Sequence, residues 1–336
     1  MTALVIIIGI IVLLTFTWQR KRNAIPNISF SKTSIGADPD AYIQAAEHAV
    51  AGIRRGAGKR IVWHDEKQKQ PTRYSLVYIH GFSASANELQ PLPETIATAL
   101  GANCFYTRLT GHGIDGTALG TATVDAWLTD VAEAIAIGET IGKHVIVLAA
   151  STGASLLTTI LAQPIFRGRV TAAVLISPNY GLKADGAFLL NAPFARQIAR
   201  MVLGKERASV AGSDLQRQIW DTSYPTDALL PMAHAVSMAR HAEIGSISTP
   251  ALFLYSPRDQ VVEPVMTLRV AARWGGNHTL CPIENTEDPN GHVLAGDAYS
   301  PSSTRDVADT ILAWLSGVLR HSTTAPDGLG KRSPNS

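Results

Sequence analysis

The stretch HVIVLAASTGASLLTTIL, His144 to Leu161, opens with Val145 to Ala149, a run that is apolar at every position. A strand with no polar face is one buried on both sides, the pattern of a parallel sheet covered by helices. Ala149-Ala150-Ser151-Thr152-Gly153 then turns the chain into a helical pattern, with Ser151 at the apex. A nucleophile elbow needs small residues two before and two after its serine, because the backbone passes close to its neighbours there. Gly153 fills the later position, and Ala149 stands where a glycine is usual. A serine that merely caps a helix N-terminus fits the same letters, so the segment alone leaves both readings open.

Outward from this stretch, strands and helices alternate. Strand-like runs fall at Arg60–Asp65, Tyr74–Ile79, Asn103–Leu109, Val170–Ile176, Ala251–Ser256 and Thr279–Glu284. Helical patterns fall at Asn87–Leu100, Thr123–Ile141, Ala154–Ala162, Pro264–Trp274 and Ser303–Arg320. Such alternation predicts an α/β fold with a mostly parallel sheet. The polar turn Lys67–Arg73 predicts an antiparallel edge hairpin between the first two strands. Between Ser177 and Ser248 helical patterns continue with no clear strand, a segment too long for a simple connection. It reads as a helical cap over residues 178–248. Within it Phe188, Leu189, Leu190, Phe194, Trp220 and Leu230 are candidates for lining an apolar pocket or for packing the cap.

The ends differ from this pattern. Thr2 to Trp18 carries no charge and gives about 25 Å of helix, the short end of what crosses a bilayer core of about 30 Å. No Lys or Arg precedes it and Gln19-Arg20-Lys21-Arg22 follows, which favours an uncleaved anchor over a signal peptide. The basic flank keeps the following domain in the cytoplasm. Residues 1–18 are therefore expected to be a single-pass transmembrane helix, and 19–58 a linker with a helix from Pro39 to Ile53 behind the Asp38 cap. Residues 59–320 form the α/β domain, and 321–336 a disordered tail.

Composition narrows the function. With 46% hydrophobic and 17% charged residues and a net charge of +2, the chain lacks the basic footprint of a nucleic-acid binder. Two cysteines rule out a disulfide scaffold. They are expected to be free thiols, as suits a reducing compartment. Gly111-His112-Gly113-Ile114-Asp115-Gly116 matches a dinucleotide string but opens no helix on its last glycine and lacks an acid at the end of the next strand. His112 reads as a structural loop residue. No spacing suggests a metal, and no cofactor is expected.

A serine hydroxyl needs a base to take its proton, and an acid followed by a histidine should come later in the chain. Asp259 follows the strand-like run Ala251–Ser256, and His292 follows the last strand. Asp288, close to His292, is a lower-ranked alternative acid. Strand Tyr74–Ile79 runs into His80-Gly81-Phe82-Ser83, so the backbone N–H groups of Phe82 and Thr152 are candidate oxyanion donors.

On the residues His80-Gly81-Phe82, Arg108-Leu109-Thr110-Gly111-His112-Gly113, Ser151, Asp259 and His292-Val293-Leu294, the chain resembles the α/β-hydrolase fold serine hydrolases of the monoacylglycerol lipase and carboxylesterase branch. The resemblance implies an eight-stranded sheet with helices on both faces and a helical cap after the sixth strand. It implies a Ser151–His292–Asp259 triad that cleaves ester or lipid substrates through an acyl-enzyme. The expected partners are a small-molecule or lipid ester and, through the anchor, a membrane. The alternatives are an amidase or peptidase on the same triad, or a non-catalytic tethered binding module. Haloalkane or epoxide chemistry would place an aspartate at Ser151.

Overall fold

The computed structural model describes residues 26–323. The expected anchor at 1–18 lies outside them, as do residues 324–336 of the expected tail. Among the described residues, no helix is long and apolar enough to cross a membrane.

Helix α1 (Pro39–His48) begins as the Asp38-Pro39 pair dictates, with the Asp38 side chain accepting from the Ala41 N–H. It stops short of the expected Ile53. The sheet then builds from β1 (Arg60–Val62), β2 (Thr72–Ile79), β3 (Asn103–Tyr106), β4 (Gly142–Ala150) and β5 (Ala172–Ile176). Between β2 and β5 lie α2 (Leu92–Leu100), α3 (Gly116–Thr121) and α4 (Val124–Ile141), with α5 (Thr152–Leu161) directly after β4.

The interval expected to be a cap holds α6 (Ala195–Leu203), β6 (Glu206–Ala208), α7 (Asp214–Ile219), β7 (Ser223–Pro225) and α8 (Leu229–His241). Its two strands pair antiparallel, Glu206 opposite Pro225 and Ala208 opposite Ser223. The expectation of a strand-free cap is therefore corrected: three-residue strands, one of them wholly exposed, are too short to show an alternating pattern. After the cap come β8 (Ala251–Tyr255), α9 (Pro264–Ala271), β9 (His278–Pro282) and α10 (Thr304–Thr323). The last helix runs past Arg320, where the tail was expected to start.

Among the described residues the main sheet has seven strands, in the order β1-β3-β2-β4-β5-β8-β9. All neighbours pair parallel except β1 with β3. This corrects the expected eight: the described residues before Arg60 form helices and turns and add no edge strand. The cap accordingly follows the fifth strand in chain order. The expected β1–β2 hairpin is also corrected, because β3 lies between the two. The buried Asn103 shows why. Its side chain accepts from the His64 N–H at 2.8 Å and donates to the Gln70 and Ile141 carbonyls at 2.9 and 2.8 Å. One residue at the start of β3 thus holds both arms of the β1–β2 connection and seats the strand between them.

Burial on both faces follows the two-residue period of the strands. Val77, Ile79, Val145, Val147, Ala149, Leu175 and Phe253 join one apolar core with α4, α5 and α8. Leu76, Tyr78, Ile146, Leu148, Val174 and Leu254 join the other with α2 and α10. The cap is not a separate body, since Met232, Ala235, Val236 and Ala239 of α8 belong to the first core. Cys104 on β3 and Cys281 on β9 sit near opposite edges of the sheet and are free.

Replacing Asn103 with alanine leaves the Gln70 carbonyl and the His64 N–H without this partner and the Ile141 carbonyl with only the Thr72 hydroxyl at 3.4 Å. A loss of about 3 kcal/mol is expected, read as a lower denaturant midpoint; an unchanged midpoint would show that the β1–β2 connection is held elsewhere.

Candidate active site

Strand β4 delivers the chain to Ser151, whose backbone sits at φ 48° and ψ −117°. A residue with a side chain reaches that region only when its surroundings force it, at about 1–3 kcal/mol. Three contacts do so. The Ser151 N–H donates to the Ile176 carbonyl at 2.9 Å, and the Ser151 carbonyl accepts from Ala154 and Asn179 at 3.1 and 3.0 Å. Gly153 lies so close to β2 that a Cβ would stand 2.6 Å from the His80 carbonyl and 2.7 Å from that of Ile79. Ala149, fully buried on β4 where a glycine is usual, packs its methyl into the apolar core.

The Ser151 side chain makes no capping hydrogen bond to α5. Its Oγ lies 3.0 Å from His292 Nε2, and His292 Nδ1 lies 2.7 Å from Asp259 Oδ2. The carboxylate partner assigns the ring proton to Nδ1 and leaves Nε2 free to accept from the hydroxyl. Asp259 is 1% exposed, and its Oδ1 accepts the N–H groups of Val261 and Val262 at 2.7 and 2.9 Å. Burial pushes the His292 ring down. The hydrogen bond to Asp259 and its charge, then the charges of Glu88 and Asp288, outweigh it and leave the ring above its ordinary value.

Asp288 has a different place. Its Oδ2 accepts the backbone N–H groups of His292 and Val293 at 2.9 and 2.8 Å, and its Oδ1 that of Asn290 at 3.0 Å. It folds the loop that presents the ring, while Asp259 meets the ring itself. The Ser177 hydroxyl fastens the same loop from β5, donating to the His292 carbonyl at 2.6 Å.

Phe82 and Thr152 flank Ser151, and both line the cavity above it. The turn carrying Phe82 is held by His80, whose Nε2 accepts the Leu109 N–H at 3.1 Å, so that Nδ1 donates to the Gly81 carbonyl at 2.8 Å. Burial pushes His80 down to about 4, which keeps it neutral in this role. From the cap, the Asp221 N–H donates to the Ser83 carbonyl at 2.7 Å, and the Asp221 carboxylate pairs with Arg54 at 2.6 Å. His112 is fully buried against the rings of His80, Phe82 and Trp127. Burial lowers it well below the histidine range, as suits a packing residue.

The cavity holds about 550 Å³ under the cap. Of the apolar cap candidates, Leu189, Leu190 and Trp220 line it. Phe188 and Phe194 are each 75% exposed, and Leu230 packs with Leu190 and Ala233. Sequence reasoning missed Glu88, Asn179, Ser177 and the Arg54–Asp221 pair. Each acts on a partner distant in the chain, so no local spacing marks it. Among the described residues, no cluster of His, Cys, Asp and Glu could hold a metal.

A covered parallel sheet with a serine on a forced strand–turn–helix, facing a histidine and a buried carboxylate, is the architecture of α/β hydrolases. The sequence profile of the alpha/beta hydrolase family matches residues 76–309, and the chain belongs to that family. No curated protein matches it. Solved structures share the fold at low identity. The chain is similar to one described under the metagenome-derived lipolytic enzymes LipS and LipT, at 20% identity and TM-score 0.63, over 79% of this chain and 99% of that one. It is similar to a monoacylglycerol lipase of Paleococcus ferrophilus at 14% and 0.58, over 77% and 98%. A soluble variant of the Saccharomyces cerevisiae monoglyceride lipase is similar at 11% and 0.58, over 78% and 91%.

Gly153→Val drives a branched side chain into the Ile79 and His80 carbonyls. The variant is expected to lose several degrees of Tm and, if folded, the Ser151–His292 contact; a crystal structure with the turn unchanged would contradict this account.

Proposed function

We propose that the protein is a carboxylic ester hydrolase in which Ser151 is the nucleophile, His292 the base and Asp259 its orienting acid. The observation that carries this reading is the hydrogen-bonded relay from Ser151 Oγ through both ring nitrogens of His292 to Asp259. As Ser151 Oγ bonds to the ester carbonyl carbon, its proton moves to His292 Nε2, and Asp259 stabilises the resulting imidazolium. The carbonyl oxygen becomes an oxyanion that accepts from the Phe82 and Thr152 N–H groups, the second standing at the positive end of α5. When the tetrahedral species collapses, the C–O bond to the alcohol breaks and the imidazolium protonates the leaving oxygen. Water then repeats the sequence: its oxygen bonds to the acyl carbon as His292 takes its proton, the bond to Ser151 Oγ breaks, the imidazolium returns the proton to Oγ, and the acid leaves.

Leu189, Leu190, Met232 and Trp220 along the cavity wall favour an ester with an apolar acyl chain. Two solved structures that share the fold are described as a monoacylglycerol lipase and a monoglyceride lipase. The apolar segment 2–18 would hold the domain at a membrane, near such substrates. A binding module has no use for a serine kept at a strained backbone angle opposite an oriented imidazole, which favours catalysis over the tethered-binder reading.

Hydrolysis of p-nitrophenyl esters tests this directly. Ser151→Ala is expected to lose about a millionfold in kcat, and Asp259→Asn about ten-thousandfold. Asp288→Asn, which leaves the ring's own partner in place, loses far less; equal losses in the two would refute the division between the carboxylates. Because His292 must be neutral to accept the proton, and its pKa is raised, kcat/KM is expected to fall as pH drops, with a midpoint above the ordinary histidine value of about 6.5. A midpoint below that value would contradict the assignment.

Carbonate extraction of membranes tests the anchor. The full chain should stay in the pellet and a chain lacking residues 1–18 should be released.

A further inference from the structure

Glu88 is a buried carboxyl that the proposed reaction leaves without a role. It is 5% exposed and lines the cavity together with Ser151 and His292. Its Oε2 accepts the Gly81 N–H at 2.8 Å and the Tyr78 hydroxyl at 2.9 Å. A Cβ on Gly81 would stand 3.0 Å from Glu88 Oε1 and 3.1 Å from the Ser151 Cβ. Gly81 is thus pressed between this carboxyl and the serine.

We propose that Glu88 is a positioning residue for ester hydrolysis, fixing the Gly81–Phe82 turn beside Ser151 and setting an anion in the wall that faces His292. The peptide joining Gly81 to Phe82 is planar, so the direction of the Phe82 N–H follows that of the Gly81 carbonyl, which His80 Nδ1 holds. Glu88 holds the other end of the same residue through its N–H. With both ends fixed, Gly81 cannot rotate and the Phe82 N–H keeps its aim. A Cβ there would press on Glu88 Oε1 and the Ser151 Cβ, which would have to give way, and a glycine, so free in φ and ψ, needs external anchors.

The charge has its own effect. Asp259, Glu88 and Asp288 are the anions that raise the His292 ring. Burial pushes the Glu88 carboxyl up, opposed by the Gly81 and Tyr78 hydrogen bonds and by the charge of His292. Carboxylate and imidazolium therefore favour one another, and the imidazolium is the form that appears as Ser151 attacks.

The inference rests on the ester-hydrolase reading, and one set of assays separates the two. Hydrolysis of p-nitrophenyl butyrate by the full chain in detergent is followed across pH for the parent, Ser151→Ala, Glu88→Ala and Glu88→Gln. Glu88→Gln keeps an oxygen for the Gly81 N–H and removes the charge, while Glu88→Ala removes both. Glu88→Ala is expected to lose about a hundredfold in kcat, the scale of a displaced catalytic group, with KM within about twofold of the parent. Glu88→Gln should recover about tenfold of that loss, and its acidic limb should move to lower pH because one anion facing His292 is gone.

Folded Glu88 variants with parental kcat and an unmoved limb overturn the proposal. If neither variant folds, Tyr78→Phe carries the test, since it frees Oε2 from one anchor. A fall in kcat at constant KM supports the proposal, and parental kcat overturns it. An inactive parent, or Ser151→Ala with parental activity, overturns the hydrolase reading and the role of Glu88 with it.

Discussion

The site depends on one forced turn. Ser151 cannot relax from its left-handed φ because its N–H is held by the Ile176 carbonyl and its own carbonyl by Asn179 and Ala154. These partners sit on or next to β5 and α5, which the sheet order places beside β4. The Ser155 hydroxyl adds to the hold by donating to the Asn179 carbonyl. The central parallel pairing of the sheet therefore sets the position of one oxygen atom. Of the five non-glycine residues with positive φ among the described residues, Ser83, Ser151 and Ser177 belong to loops that meet at the same strand ends, while Lys69 and Phe194 lie elsewhere. Such strain persists only where surrounding contacts over-determine it.

Around that turn, buried charge is divided by task. Asp259 faces the ring of His292, Asp288 its backbone, and Glu88 the turn on the far side of Ser151. None is left as an isolated buried anion, which would be costly. A second buried network lies away from the site and fixes the N-terminal segment to the domain. Lys59 pairs with Glu133, which also accepts from the Tyr42 hydroxyl at 2.7 Å. Glu47 of α1 takes Arg108 at 2.8 and 3.0 Å. Burial lifts the Asp130 carboxyl to about 6, against the pull of Lys59. Arg54 then reaches from this segment to Asp221 of the cap, which holds the Ser83 carbonyl. The segment ahead of the sheet is thereby linked through the cap to the Phe82 turn.

Much of this arrangement is legible in the sequence because it follows from local periodicity. The apolar run Val145–Ala149 announces a strand buried on both faces, and the small residues after it announce a close turn. Asp259 and His292 stand out because each follows a strand, where a parallel sheet gathers its loops. What is not legible depends on contacts between distant segments. β1 pairs with β3, and the Asn103 side chain fastens both arms of the β1–β2 connection around it, which no turn pattern reveals. The cap strands β6 and β7 are three residues each and carry no alternation. Glu88 falls in the helical pattern Asn87–Leu100, yet α2 begins only at Leu92, and the carboxyl is buried where Tyr78 and Gly81 donate to it from β2 and the loop behind. Asp288 shows the converse: a carboxylate so near His292 in the chain is less readily aimed at the ring, and the same closeness lets it hold the loop backbone.

The central claim is that the hydroxyl of Ser151 is the group His292 activates. Mass-spectrometric mapping of the full chain after reaction with a fluorophosphonate tests it most directly. The account predicts a single adduct on Ser151, with much slower labelling in His292→Ala. A folded parent that takes no adduct, or takes it on another residue, would contradict the account.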